Sequence, residues 1–427
     1  MSLEGLPHLG RADGLAWPAE LRGATRQESL ALLRRWVERR VGVGKVLVDV
    51  CSPILFNWAG SSRGPDGHER WSYTGFAPRF LQRAFSPAGY SGMRAPGDSV
   101  ELYAVTLFGD ASRDPAGPRA SAGALGAAMD TVLGVLAIAA AGDRLCYTRT
   151  FEMDFSMPVP LATPLLLRVV STRGSGSTDL VVGQIEDASG RVLHESRGQF
   201  FVSELSMTQL QVLHETLPTA QEQASQPSPQ RAELESSDQE PLAPPQWFTL
   251  PQPADALARH QAWQELVRST RDQWPRALPC RGRREGRKCC DFSGAAARMS
   301  MQSWFDAASS TLLAAVFFSP LSGGPPGRAH GGSIIVALEE AAHRLGVCLA
   351  PSAVAAACLS LRVEFPRAVW LDSVALIVMQ LDSRRGRDAT LKAELHTVKS
   401  HSNLWLAAER VVACRAVAVV DLESSLL

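Results

Sequence analysis

The chain has 427 residues, of which 45% are hydrophobic and 20% charged, so it is globular and long enough for two or three domains. Its 43 Lys and Arg balance 43 Asp and Glu, which leaves no electrostatic footprint for nucleic acid. The eight cysteines (51, 146, 280, 289, 290, 348, 358 and 414) show no C-x-x-C spacing, which reads as reduced thiols in an intracellular protein, not as a disulfide framework or a zinc site.

From the N-terminus, Met1–Gly23 has no apolar run of the kind a signal peptide needs, and Glu4, Asp13 and Glu20 speak against a transit peptide. Thr25-Arg26-Gln27-Glu28 has the form of a capping box, and Leu30, Leu33, Trp36, Val37 and Val41 follow at helical spacing. Residues 53–97 mix Gly, Pro and Ser with aromatics, as an irregular covering segment does, so 1–95 reads as an N-terminal extension. Ser99–Phe108 alternates like a strand, and a Gly/Pro/Asp turn follows. Ala122–Ala141 is apolar enough to raise the question of a membrane span. Asp130 within it, and its Ala/Gly content, indicate a buried helix instead, so no transmembrane segment is expected. Four strand-like runs follow near 145–155, 163–172, 177–187 and 190–202, completing a first unit over 96–205.

Residues 206–257 break the pattern. Thr216–Pro245 consists of Gln, Ser, Pro, Glu and Ala with almost no aliphatic content, too little to repay the entropy of ordering, and reads as a linker. An amphipathic helix, Ala258–Trp274, carries Trp263, Leu266 and Val267 and leads into the basic stretch 281–288. That stretch is either a solvated loop or a contact for a phosphate-bearing ligand. The unit 295–427 then contains a strand at Thr311–Phe318, a turn and helix over Gly323–His343, and four strand runs near 356–366, 372–382, 389–399 and 403–420.

The Gly323–His343 stretch is chemically the most informative. Glycines and prolines deliver the chain to His330-Gly331-Gly332, after which Ile334, Ile335, Val336 and Leu338 are too apolar for a surface helix. The first amides of a helix lack intrahelical partners and carry the positive end of its dipole, so Gly331 and Gly332 can let an oxygen approach closely. Glu339 follows two turns on, where burial raises a carboxyl pKa. Alone, the pattern also fits a capped helix with a solvated acid pair. A second copy changes that reading: with Ser121 set on His330, Asp130 falls on Glu339, and Asp154-Phe155 falls near Glu364-Phe365. Each unit is then a sheet wrapped around one long helix, and the two units must cover one another.

On these residues the chain resembles the hotdog-fold acyl-CoA thioesterases of the PaaI-like kind, and GPPGRAHGG is similar to the mitochondrial thioesterase-superfamily branch with long-chain acyl-CoA substrates. The resemblance covers roughly 96–205 and 295–421. It implies an α+β fold of two hotdog units that form an intrachain pseudo-dimer with a continuous antiparallel sheet. By the same resemblance the Gly331 amide polarises the thioester carbonyl, with His330 and Gly332 shaping the turn. Asp130, supplied from the other unit, acts as general base or nucleophile, and Thr148 holds the water. The second copy carries Glu339 where the family usually has Asp, and Cys358 in place of Thr148. Ser121-Ala122-Gly123 replaces His-Gly-Gly in the first copy, so one composite site is complete and the reciprocal one is degraded.

Arg384, Arg385 and Arg387, in a turn between two strands, either meet the phosphates of coenzyme A or only form a hairpin. No cofactor is expected beyond coenzyme A as part of the substrate. The expected function is hydrolysis of a fatty acyl or related thioester at one composite site. The alternative is a catalytically inactive, thioesterase-like accessory subunit whose protein partners bind the N-terminal extension and linker. The setting expected is intracellular, mitochondrial in preference to cytoplasmic.

Overall fold

A computed structural model describes residues 62–63, 69–70, 100–206, 253–280 and 299–422, apart from 109–113, 115–118, 142–143, 156, 161–163, 173–177, 188–189, 319–321, 323–327, 351–355, 372 and 399–409. The expectations for most of the N-terminal extension, for the linker 216–245 and for the basic stretch 281–288 lie outside the described residues.

The first unit runs β1 (Val100–Leu107), α1 (Ala122–Ala140), β2 (Arg144–Asp154), β3 (Pro164–Thr172), β4 (Thr178–Glu186) and β5 (Val192–Ser206). After α2 (Pro253–Gln273) and the short β6 (Leu278–Pro279), the second unit runs β7 (Met299–Asp306), β8 (Thr311–Phe318), α3 (Gly331–Leu349), β9 (Ala357–Glu364), β10 (Ser373–Arg385), β11 (Asp388–Val398) and β12 (Arg410–Asp421). These twelve strands form one sheet in the order β1-β3-β4-β5-β2-β9-β12-β11-β10-β8-β7-β6, and among the described residues Ser62–Arg63 and Glu69–Arg70 pair as a separate two-stranded sheet. The seam between units is the antiparallel pair β2 and β9, with Glu152 opposite Arg362 and Phe151 opposite Val363. Joining there satisfies two strand edges that a lone unit would leave open. This is the tandem hotdog arrangement, with one continuous sheet.

The pleat assigns each strand's side chains to two layers. In the fully buried β8, Leu312, Ala314, Val316 and Phe318 join the core beneath the helices, while Leu313, Ala315 and Phe317 face α2. Trp263, Leu266 and Val267 of α2 cover that outer face together with Trp304, as their helical spacing predicts. The sequence pattern gives no strand at Met299–Asp306, because its alternation breaks at Trp304-Phe305. Pairing along all of β8 makes it one nonetheless.

On the inner face α1 and α3 pack against each other within one core cluster drawn from both units. They approach closely because small residues stand at the crossing. A Cβ on Gly332 would lie 2.9 Å from the Ala127 Cα, and one on Gly123 would lie 3.2 Å from the Val336 Cα. Gly332 thus stands to Ala127 as Gly123 stands to Val336, which is the pseudo-twofold expected of a repeat. Among the described residues no helix is long and apolar enough to cross a membrane.

Candidate functional site

The helix crossing brings each unit's acid to the other unit's helix N-terminus. Asp130, 2% exposed in the middle of α1, lies so close to the start of α3 that a Cβ on Gly331 would fall 2.6 Å from its Oδ2. Any side chain there would push against the Asp130 carboxylate. His330 caps α3, its Nδ1 accepting the Gly332 N–H at 2.9 Å. Among the described residues no hydrogen-bond partner is recorded for the Gly331 N–H, which leaves this first-turn donor at the positive end of the helix dipole.

Thr148 completes the group from β2, its hydroxyl donating to Asp130 Oδ1 at 2.9 Å. A register shift between Thr148 and Thr150 in the β2–β5 pairing makes Arg149 a bulge residue, and such irregularities re-aim neighbouring side chains. The Arg149 carbonyl accepts the Phe365 N–H from the other unit, as the Leu359 carbonyl accepts the Phe155 N–H. Arg149 therefore corresponds to Leu359, and Thr148 to Cys358.

Burial pushes the Asp130 carboxyl up, against the lowering influence of the nearby His330 ring, the Thr148 hydroxyl and the Gly332 amide. Burial also pushes the His330 imidazole down, with Asp130 opposing it. Nδ1 of His330 lies 3.5 Å from Asp130 Oδ2, but a nitrogen that accepts the Gly332 N–H carries no proton. We therefore read this approach as a contact with a neutral ring protonated on Nε2, not as an ion pair. Asp130 gains no full positive charge from it and keeps its basicity.

Asp130, Thr148, His330 and Gly331 all line one cavity of about 1100 Å³. Its apolar wall includes Ile138, Leu145, Phe200, Ile334 and Val369, and four arginines line it as well: Arg149, Arg328, Arg362 and Arg367. The Arg328 guanidinium lies 4.7 Å from the Tyr147 ring centroid and 5.6 Å from that of Trp370, so one aromatic residue of each unit lies beside it.

The reciprocal arrangement has the same layout with different groups. Glu339, 9% exposed, sits where a Cβ on Gly123 would lie 2.9 Å from its Oε2. The Gly331 position is taken by Ala122, and Ser121 caps α1 by accepting the Ala124 N–H at 3.2 Å. Burial raises the Glu339 carboxyl well above its ordinary value, and the charges of Asp114 and Glu340 add to that. Burial and the Glu339 and Asp114 charges likewise raise the Cys358 thiol. The isolated bridges Arg119 to Pro160 and Arg328 to Trp370 mark the two arginines as counterparts. Arg119, however, is tied to Asp114 at 2.9 Å, and Pro160 replaces the aromatic platform.

Of the residues predicted from sequence, the structure gathers Asp130, Thr148, His330, Gly331 and Gly332 in one place and puts Glu339 at the opposite crossing. Arg384, Arg385 and Arg387 stand elsewhere, at the β10–β11 hairpin, where Gly386 takes a φ of 62°. Arg384 Nε donates to the Gly386 carbonyl, Arg387 approaches Asp421 at 3.5 Å, and none of the three lines the cavity. Sequence reading missed Arg149, Arg328, Arg362, Arg367, Tyr147 and Trp370. Arg328 alone carried a local signal, two residues before His330 in the same turn. Among the described residues, no three His, Cys, Asp or Glu side chains gather as metal ligands.

No family model matches the chain, and no curated protein matches it. Solved structures that it resembles include the tesB protein of Mycobacterium avium subs paratuberculosis, at 10% identity over 75% of this chain and 92% of that one (TM-score 0.43). The acyl-CoA thioesterase II TesB2 of Mycobacterium marinum matches at 12% identity over 71% and 90% (TM-score 0.35). The 12:0-ACP thioesterase of Umbellularia californica matches at 8% identity over 75% and 93% (TM-score 0.39).

Proposed function

We propose that the chain hydrolyses an acyl thioester, with acyl-CoA as the substrate class, at the single composite site formed by Asp130 and Thr148 of the first unit and Gly331 of the second. The observation that carries this reading is the buried carboxylate of Asp130, held by the Thr148 hydroxyl against the amide end of α3 at a cavity wall. A carboxylate raised by burial is a competent base near neutral pH, and an oxyanion needs a fixed N–H donor.

In this reading the thioester carbonyl oxygen accepts from the Gly331 N–H, and Asp130 takes a proton from a water that Thr148 holds. The hydroxide attacks the carbonyl carbon, the C–S bond breaks as the tetrahedral oxyanion collapses, and Asp130 returns its proton to the departing thiolate. His330 caps the helix and stays neutral. The apolar wall from Ile138 to Val369 takes the acyl chain, and the cavity arginines replace Arg384, Arg385 and Arg387 as partners for the phosphates of coenzyme A. A mitochondrial setting is supported by the resemblance of the GPPGRAHGG segment. The test is release of free thiol from acyl-CoA substrates of graded chain length. Hydrolysis that disappears in Asp130→Asn supports the reading. A folded, unmutated protein that releases no thiol from any of them refutes it and leaves a non-catalytic accessory subunit.

A further inference from the structure

Away from the cavity, at the other end of α3, two cysteines from distant parts of the chain meet. Cys280 follows β6, and its backbone is fixed by donation of its N–H to the Ser303 carbonyl at 2.8 Å. Cys348 lies in the last turn of α3. Their sulfur atoms are 2.8 Å apart, and both residues are partly exposed, whereas Cys146, Cys358 and Cys414 are buried. Arg344, one turn before Cys348, presents its guanidinium to the same place, donating through Nη1 to Ser303 Oγ at 3.0 Å and through Nε to Glu340 Oε1 at 2.7 Å.

From this geometry we propose that Cys280 and Cys348 are a redox-active dithiol that closes to an intrachain disulfide when a peroxide oxidises it. The division of labour follows from the surroundings. The sulfur–sulfur hydrogen bond, helped by the Arg344 charge and by Ser303, lowers the Cys280 thiol despite its burial, which favours the thiolate on Cys280. Cys348, pushed up by that hydrogen bond and by burial, keeps its proton and acts second. By contrast, burial raises the thiols of Cys358 and Cys414 and leaves them unreactive.

The atoms balance in two steps. The Cys280 thiolate attacks a peroxide oxygen; an S–O bond forms, the O–O bond breaks, and hydroxide leaves as water once it has gained a proton, giving a sulfenic acid. The Cys348 sulfur then attacks the Cys280 sulfur; the S–S bond forms, the S–O bond breaks, and the sulfenic oxygen leaves as a second water carrying the Cys348 proton. Two thiols lose two electrons and one peroxide gains them. The bridge would fasten the last turn of α3 to the β6–β7 edge of the sheet and close a loop of 68 residues, which restrains the unfolded chain.

The experiment uses the full chain, reduced, freed of reductant and treated with equimolar hydrogen peroxide. Remaining thiols are blocked with N-ethylmaleimide, and the unreduced digest is read by mass spectrometry. The expected result is a peptide pair linked through Cys280 and Cys348, reversed by dithiothreitol, with Tm higher by about 5 °C or more in the oxidised protein. In Cys348→Ser, Cys280 should instead accumulate as a sulfenic acid that dimedone traps, and in Cys280→Ser, Cys348 should remain fully alkylatable. Full alkylation of both cysteines after peroxide overturns the proposal. So does a Cys280 bridge to Cys289 or Cys290 in place of Cys348.

Discussion

At one helix crossing Asp130, Thr148, His330 and Gly331 meet at a cavity beside an arginine that lies near two aromatic rings. At the other, Glu339, Cys358, Ser121 and Ala122 hold the same positions, and the corresponding Arg119 is neutralised by Asp114. Both crossings obey the same packing rule, a glycine in the first turn of one helix against the middle of the other. The rule belongs to the fold, and the chemistry belongs to the few residues in which the copies differ. Each difference points the same way: a methyl group at Ala122 where Asp130 finds none on Gly331, a thiol in place of the Thr148 hydroxyl that donates to Asp130, and nearby negative charges that add to burial in raising the Glu339 carboxyl.

The comparison can be broken most forcefully at the acids. Asp130→Asn keeps size and removes the base, and should lower turnover of acyl-CoA by about a thousandfold or more, while Glu339→Gln should leave most of it. Equal losses would mean two working sites. Next in size is the helix start: Gly331→Ala puts a Cβ against Asp130 Oδ2 and should cost about a hundredfold in kcat/KM, whereas Ala122→Gly should change it by less than about twofold. Thr148→Val should cost about tenfold. It should also move the acid limb of the pH profile upward, because the lost hydrogen bond lowers the Asp130 pKa in the native protein; Cys358→Ser should leave that limb in place.

The smallest effect is on stability. The Glu339 carboxyl is raised on folding, so its contribution is fully present below the ordinary glutamate value of 4.5 and is lost as pH rises through the native value. Glu339→Gln removes that loss. Its Tm relative to the unmutated chain should therefore improve steadily from pH 4 toward pH 8; a difference that stays constant with pH would contradict the assignment.

What could be read in the sequence follows from how local each feature is. The α3 start, with Gly-Pro turns, His330 and an apolar helix, is written in consecutive residues. Superposing the repeats equates Asp130 with Glu339 and Ser121 with His330, because the acid and the helix start keep one spacing in both copies; that Asp130 faces Gly331 is what the family resemblance implies. Strand β7 has too little alternation to be seen without β8 beside it. The cavity arginines escaped for a different reason: Arg328 gains meaning only when Tyr147 of the first unit and Trp370 of the second close on it, and no spacing in the chain encodes that meeting. Arg384, Arg385 and Arg387 form the denser charge cluster in sequence, yet a hairpin with a left-handed Gly386 carries them away from the cavity.

The central claim is that a molecule with two matching crossings has one working site, and a count tests it most directly. Isothermal titration of the unmutated chain with a non-hydrolysable thioether analogue of acyl-CoA should show one analogue bound per chain, with binding unaffected by Glu339→Gln and weakened by Arg328→Gln. Two equivalent analogues per chain, or binding that Arg328→Gln leaves intact while Glu339→Gln abolishes it, would contradict the account.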